Sequence, residues 1–369
     1  MVNIFQYIVD YLKYAPTIIQ LSWALSAVFT FTIISLTFYL KHLRSRLRTK
    51  ERIQKVYEKK YEADLIEYLY SGNEEEEVSP EQQKIINYLK KSSEDSLKRK
   101  LIISTLLKLR SEISGETAND IQKLYYQTGL INYSSSKLKH KKWNIIAKAI
   151  KELTQFGIKD VHDDVILLIN HPKKEVRKEI QMYLVKLFHF EGLDFLNVLK
   201  TPLSEWDQIQ LLEILQNFED QKIPDINEWL ESSNSTVVLF ALKLAKIYNQ
   251  FEAKDVIIKL LNHSEMQVRI EAIDVLSNMG VIEAVAILKN DFDQRDIEEQ
   301  IAFFKMLESM YDTSDISFIS QFINHENFYI KVSVMKILKV INVDNESNTF
   351  KIITTDKEFS ESINLIKAS

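Results

Sequence analysis

Residues 260–276 read LLNHSEMQVRIEAIDVL. Residues 167–184, LLINHPKKEVRKEIQMYL, and 322–338, FINHENFYIKVSVMKIL, follow the same plan. Each begins with an apolar run and passes through Asn-His. Five residues after the His comes Val176, Val268 or Ile330, each opening a segment with apolar residues at helical spacing. A short helix, a polar turn and a longer helix therefore recur. Aligning the first apolar residue of each longer helix gives Val176, Trp206, Val237, Val268, Ile297 and Ile330, separated by 30, 31, 31, 29 and 33 residues. A period of about 31 residues marks a solenoid of helical hairpins. One hairpin leaves an apolar face open, and the next one stacked on it closes that face.

The pattern extends backwards through WNIIAKAIKELTQF (143–156) and, less regularly, SLKRKLIISTLLKL (96–109). Only 6 Gly and 5 Pro occur in 369 residues, too few for a fold rich in tight turns or for Gly-rich phosphate loops. There is no Cys, which excludes disulfides, thiolate metal sites and cysteine nucleophiles. The expected fold class is all-α, with one N-terminal transmembrane helix followed by a right-handed α-solenoid of six to eight stacked hairpins. The expected divisions are a short interfacial segment 1–16 and a span 17–40, then a basic juxtamembrane helix 41–72 and an acidic linker 73–80. Irregular hairpins 81–140, repeats 141–345 and a C-terminal cap or tail 346–369 complete the chain.

The repeated stretches resemble HEAT repeats of the short type found in bilin lyases. That pattern has a Leu pair, an Asp-containing turn, then Val-Arg with a small residue four after the Val. Val268-Arg269 with Ala272 matches it, Val176-Arg177 has Ile180 at the small position, and Ile330-Lys331 is a conservative variant. The resemblance covers about residues 140–345 and implies a fold rather than an activity. In such a solenoid the short helices line the concave face. Register then places Ile166, Asn227, Ile258 and Ser320 at one position of that face, and Leu167, Glu228, Lys259 and Gln321 at the next. The second row has no single charge sign, whereas a nucleic-acid groove would show a Lys/Arg stripe. A protein partner is expected there, and no nucleic acid. The first Asp of the family's turn is here His171, His263 or His325, which puts the usual Asp–Arg ladder between repeats in doubt.

Histidine is a common metal ligand, so these three need separate weighing. With neighbouring helices 8–10 Å apart, three repeats separate His171 from His263 by roughly 30 Å, and two separate His263 from His325 by roughly 20 Å. Zinc requires its ligands within about 2.1 Å of one point. The three are therefore expected to be turn residues. Ser264 with Gln267 has capping-box spacing, and Asn327 can cap the last long helix. Trp143, Trp206 and Trp229 fall at register positions and are expected in the core. Asp163-Asp164 is the most suggestive carboxylate pair, and it reads as the polar start of a short helix. No nucleophile elbow, phosphate loop or dinucleotide motif occurs, so no catalytic residue, metal or cofactor is expected.

The N-terminal region has a different character. Ile18 to Leu40 is a run of 23 residues without a charge, about 35 Å long as a helix and enough to cross a bilayer with some tilt. Trp23 and Tyr39 stand where interfacial aromatic anchors belong. Lys41, Arg44, Arg46, Arg48, Lys50 and Arg52 begin a collar that carries nine basic and two acidic residues over 41–60, a net +7. The chain total is −5, so the remainder carries −12. A cleaved signal would have a shorter apolar run after a basic start. The positive-inside rule puts the N-terminus outside and the solenoid in the cytoplasm, and the bacterial inner membrane is the setting this architecture fits. The collar reads either as a topology signal touching anionic headgroups or as a regulated lipid site.

These features point to a non-enzymatic, membrane-tethered scaffold that holds a protein partner beside the bilayer. Alternatives are an accessory subunit of a polysaccharide-making glycosyltransferase, a lipid-sensing regulator acting through the collar, and a HEAT-fold lyase.

Overall fold

The computed structural model describes residues 11, 13–71, 78–113, 115–218 and 223–344. Of the expected segment 1–16 only residues 11 and 13–16 are described, and of the linker 73–80 only residues 78–80. The expected C-terminal cap 346–369 lies outside the described residues. Every regular element among the described residues is helical. The chain divides into two compact units, residues 1–133 and 134–369.

The first unit is organised by α1 (Thr17–Tyr70), a single unbroken helix of 54 residues and about 81 Å. The span 17–40 and the basic helix 41–72 are thus one rod, ending at Tyr70 with Ser71 as its C-cap. No Gly or Pro interrupts it, and Thr30, Thr32 and Thr37 bond back to the carbonyls of Ser26, Val28 and Ile33. Three shorter helices pack on its C-terminal part: α2 (Pro80–Ser92), α3 (Ser96–Glu112) and α4 (Glu116–Gln127). Tyr61, Leu65 and Tyr68 of α1 are buried against this group. Local chemistry sets its corners. Ser79 and Gln82 form a reciprocal capping box with Pro80 at the first helical position, and Asp95 caps α3 through the amides of Leu97 and Lys98.

α5 (Leu130–Ser136) carries the chain across the division. The second unit alternates longer and shorter helices. The longer ones are α6 (Trp143–Phe156), α8 (Lys174–Phe188), α9 (Glu205–Leu215), α11 (Ser235–Ile247), α13 (Met266–Met279), α15 (Ile297–Met310) and α17 (Phe328–Asp344). The shorter ones are α7 (His162–Ile166), α10 (Asn227–Leu230), α12 (Lys254–Lys259), α14 (Glu283–Asn290) and α16 (Ile316–Ser320), with a 3-10 segment at Glu191–Val198 in the same role. α6 packs on α8 and α8 on α9, while α11, α13, α15 and α17 stack in turn. α10 touches both the preceding 3-10 segment and the following α12, so the short elements stack as well. This is an all-α helical-repeat solenoid.

The buried register differs from the apolar alignment in two repeats. Val176, Val237, Val268 and Ile330 are fully buried, but Trp206 is 62% exposed and Ile297 is 38% exposed. Gln208 and Glu299 take the inward positions instead, so the separations become 32, 29, 31, 31 and 31. Both polar side chains are satisfied, as buried groups must be. Gln208 donates to the carbonyls of Leu203 and Thr236 and accepts from Lys243. Glu299 accepts from Arg269 and Arg295. Of the three tryptophans expected in the core, only Trp229 is buried there. Trp143 opens α6 at 40% exposure. Trp206, in the first turn of α9, faces outward because Gln208 turns inward.

Candidate functional site

The turn histidines show their role directly. Nδ1 of His171 accepts the amide of Lys173 at 3.0 Å, Nδ1 of His263 accepts that of Glu265 at 3.0 Å, and Nδ1 of His325 accepts that of Asn327 at 3.0 Å. His140 does the same with Lys142 ahead of α6, at 2.9 Å. An Asp or Asn in a turn makes this same bond to the amide two residues on. The imidazole thus does what a turn carboxylate would do, with its proton on Nε2. Ser264 does not cap α13: the N-cap position is Glu265, which makes no side-chain cap bond. Asn327 does cap α17, through the amides of Tyr329 and Ile330.

The arginines after these turns are also accounted for. Nη1 of Arg177 donates to the carbonyls of His171 and Pro172, and Nη1 of Arg269 donates to those of His263 and Ser264. Arg269 reaches further, into the next repeat, pairing with Asp296 at 3.0 Å and with Glu299 at 2.8 Å. An acid–arginine rung therefore exists here, with its acids in the following hairpin. Arg295 completes the cluster by bonding Glu299, Asp291 and the carbonyl of Leu261. Burial opposes ionisation of Glu299, and the two guanidiniums outweigh that, holding its carboxyl below the usual range. Other rungs join Lys246 to Asp274, Lys254 to Glu283, Lys289 to Asp315 and Lys336 to Glu308. Asn170 and Asn234 add neutral ones, each binding the backbone around residues 198–201. These charges join neighbouring repeats and do not converge on a cavity.

The residues named from register for the short elements lie in those elements or directly after them. Ile166, Asn227, Ile258 and Ser320 are half-buried, whereas Leu167, Glu228, Lys259 and Gln321 are exposed. The same register includes Asn197 with Val198 and Lys289 with Asn290, from the two repeats that the apolar pattern left unassigned. Its outer row therefore runs Leu167, Val198, Glu228, Lys259, Asn290, Gln321. Leu167 is 81% exposed and Val198 52%, so the row is apolar at its start and mixed in charge beyond. Asp163 and Asp164 open α7 as a polar helix start, Asp164 pairing with Lys139 across 3.7 Å. No group of three His, Asp or Glu side chains among the described residues could hold a metal.

The collar residues Lys41, Arg44, Arg46, Arg48, Lys50 and Arg52 are all exposed on α1, as are Ile18 and Leu40 at the ends of the apolar run. A groove of roughly 370 Å³ lies beside the collar, lined by His42, Ser45, Arg46, Thr49, Lys50, Ile53 and Leu97. By length and composition α1 can cross a membrane, and none of its apolar stretch is buried in the protein.

No family model matches the chain, and no curated protein does. Solved structures do align with it. An engineered protein is 16% identical over 75% of this chain and 88% of its own, with a TM-score of 0.34. Human deoxyhypusine hydroxylase in complex with glycerol is 13% identical over 78% and 98%, with a TM-score of 0.28. A designed armadillo repeat protein in complex with the peptide (KR)4 is 15% identical over 75% and 98%, with a TM-score of 0.19. At such scores the repeat assignment rests on the helix stacking of the chain itself.

Proposed function

We propose that the chain is a non-enzymatic, membrane-tethered scaffold of the short HEAT type, with α1 as a single span and the repeats in the cytoplasm. The observation that carries this reading is the apolar run of α1, none of it buried in the protein, followed without a break by the basic collar. In water so much uncovered apolar surface is a liability, and a bilayer covers it. The basic side belongs to the cytoplasm. The outer row of the short elements then offers a protein partner a surface whose apolar anchors are Leu167 and Val198 and whose remainder is polar. Tethering raises the effective concentration of that partner at the membrane.

Two measurements test this. The full chain should sediment with membranes and resist carbonate extraction, with protease added from the cytoplasmic side digesting residues 134–344. Recovery in the soluble fraction would sink the tether. In native membranes, crosslinking should capture a partner through the outer row, and Leu167→Asp with Val198→Asp should abolish capture without changing the level of the protein. Equal capture by the double variant would remove this row as the binding surface.

The groove beside the collar favours a second reading, a lipid-responsive regulator. Charge reversal at Arg44, Arg46 and Arg48 should then release the chain's preference for anionic liposomes. Binding that survives the reversal counts against it.

A further inference from the structure

Two leucines break the polarity of the collar. In KHLRSRLRTK, residues 41–50, only Leu43 and Leu47 are apolar, and they are 41% and 49% exposed. They lie beyond the apolar run, so hydrocarbon does not account for them. They also continue a row. Phe29, Ile33, Leu36, Leu40, Leu43 and Leu47 are spaced 4, 3, 4, 3 and 4, which is the a/d spacing of a coiled-coil seam. Ser22 and Ser26 extend the row towards the N-terminus as a small-xxx-small pair, the kind that lets membrane helices approach closely. Every member of the row is exposed.

The row has a defined end. From Gln54 the same stripe continues through Tyr57, Tyr61, Leu65 and Tyr68, and there the chain's own α2 and α3 pack over α1. Lys98 of α3 lies over the ring of Tyr57. One stripe is thus covered by the protein itself below Lys50 and left uncovered above it.

The flanking charges identify the occupant. With Leu40 and Leu47 at a and Leu36 and Leu43 at d, Arg46 falls at g and Glu51 at e. In a parallel, in-register pair of identical helices, g of one faces the e five residues later in the other. Arg46 would meet Glu51 of a second copy, and Tyr39 would meet Arg44, a cation above an aromatic ring. Both acidic residues of the collar, Glu51 and Glu58, occupy e positions. An antiparallel pair would instead set Arg46 against a g residue of the other copy, which is Tyr39, Arg46 or Ile53, and would lose its match to Glu51. We infer that this stripe of α1 is a parallel homodimer seam, running from Ser22 through the span to Leu47 and fixed in register by Arg46 and Glu51. The seam goes beyond the scaffold reading: it doubles the array of repeats held at one point of the membrane.

The absence of cysteine makes the test clean, because single cysteines can be introduced without background. Full-length chains carrying Leu43→Cys or Leu47→Cys, oxidised in their native membranes, should form disulfide-linked dimers. Lys41→Cys, Ser45→Cys and Arg48→Cys, on the other faces of α1, should crosslink at least tenfold less. Arg46→Glu or Glu51→Arg should weaken crosslinking at Leu47→Cys, and the two together should restore it. Equal crosslinking at all five positions, or none at any, overturns the seam, as does a double charge swap that fails to rescue. Fractionation of the same samples keeps the two readings apart. A chain that stays in membranes but does not crosslink leaves the tether standing and removes the dimer. A soluble chain that crosslinks only at positions 43 and 47 does the reverse.

Discussion

Nδ1 of His263 accepts the amide hydrogen of Glu265 at 3.0 Å. That bond makes the histidine a turn former, and Arg269 locks the turn by donating to the carbonyl of the same histidine at 2.9 Å. The same pair of bonds joins His171, Lys173 and Arg177 three repeats earlier. The histidine therefore needs one acceptor in the right place and nothing else of its chemistry.

Substitution should follow that requirement. His263→Asp keeps an acceptor and adds a negative charge at the start of α13, so the change in stability should stay within about 1 kcal/mol. His263→Ala should cost about 0.5–2 kcal/mol, the range for loss of a cap. Three repeats apart, His171→Ala and His263→Ala should be additive to within about 0.5 kcal/mol. Denaturant unfolding of the purified full-length chain measures all of these. A loss on His263→Asp as large as on His263→Ala would show a role beyond the turn.

The repeats were legible because Val176, Val237, Val268 and Ile330 are both apolar and buried, and such positions carry the period. The register slipped by two residues at Trp206 and Ile297, where the buried position is polar. Hydrophobic patterning finds what is apolar, and Gln208 and Glu299 each depend partly on a partner from a neighbouring hairpin. Lys243 is 35 residues from Gln208, and Arg269 is 30 from Glu299. Nothing within either helix announces those partners. The acid–arginine rung was hidden for a related reason: its acids, Asp296 and Glu299, lie in the next hairpin.

Glu299 should be the most sensitive acid in the solenoid. It is 1% exposed, with Arg295 and Arg269 both bonded to it. Glu299→Ala leaves Arg269 with Asp296 and Arg295 with Asp291 as their remaining acid partners, and removing the shared buried carboxylate should cost about 3 kcal/mol, the low end for breaking a buried pair. The pH dependence follows from its lowered pKa. A carboxyl with a depressed folded value stabilises the protein above its unfolded value, here about 4.5, and loses that contribution as pH falls through the folded value. The stability gap between the parent chain and Glu299→Gln should therefore be full at pH 7 and shrink below pH 4.5. A gap that stays constant down to acid pH would mean that charge is not what holds the cluster.

Glu271 should behave in the opposite sense. Burial raises its pKa first, nearby Asp274 adds to the shift, and Lys243 and Lys246 only partly oppose it. Its raised folded value means that ionisation at neutral pH costs stability, and that the cost disappears as pH falls through that value. Glu271→Gln should therefore stabilise the chain at pH 7, by less than about 1 kcal/mol given its partial exposure, with the gain vanishing in acid. Thermal unfolding at pH 7 and at pH 4 distinguishes this from a general benefit of glutamine, which would persist at both.

Gly192 should tolerate nothing larger. It lies in the 3-10 segment Glu191–Val198, which packs on α8, and a Cβ added there would run into the carbonyl oxygen and carbon of Leu184. The obstacle is backbone inside a helix, so no side chain can swing away to make room. Unlike Gly280, which ends α13 in the left-handed region at φ +70°, Gly192 is required for space rather than for its conformation. Gly192→Ala should therefore cost about 1–3 kcal/mol, as overpacking in a well-filled interior does. The strain should open the contact between this segment and α8 before the rest of the solenoid unfolds. Hydrogen exchange reads this directly, as faster exchange at Leu193 and Leu196 with the amides of α13 unchanged. Uniformly faster exchange through α13 would show that the repeats melt as one unit, and that the contact at Gly192 sets the stability of the whole array.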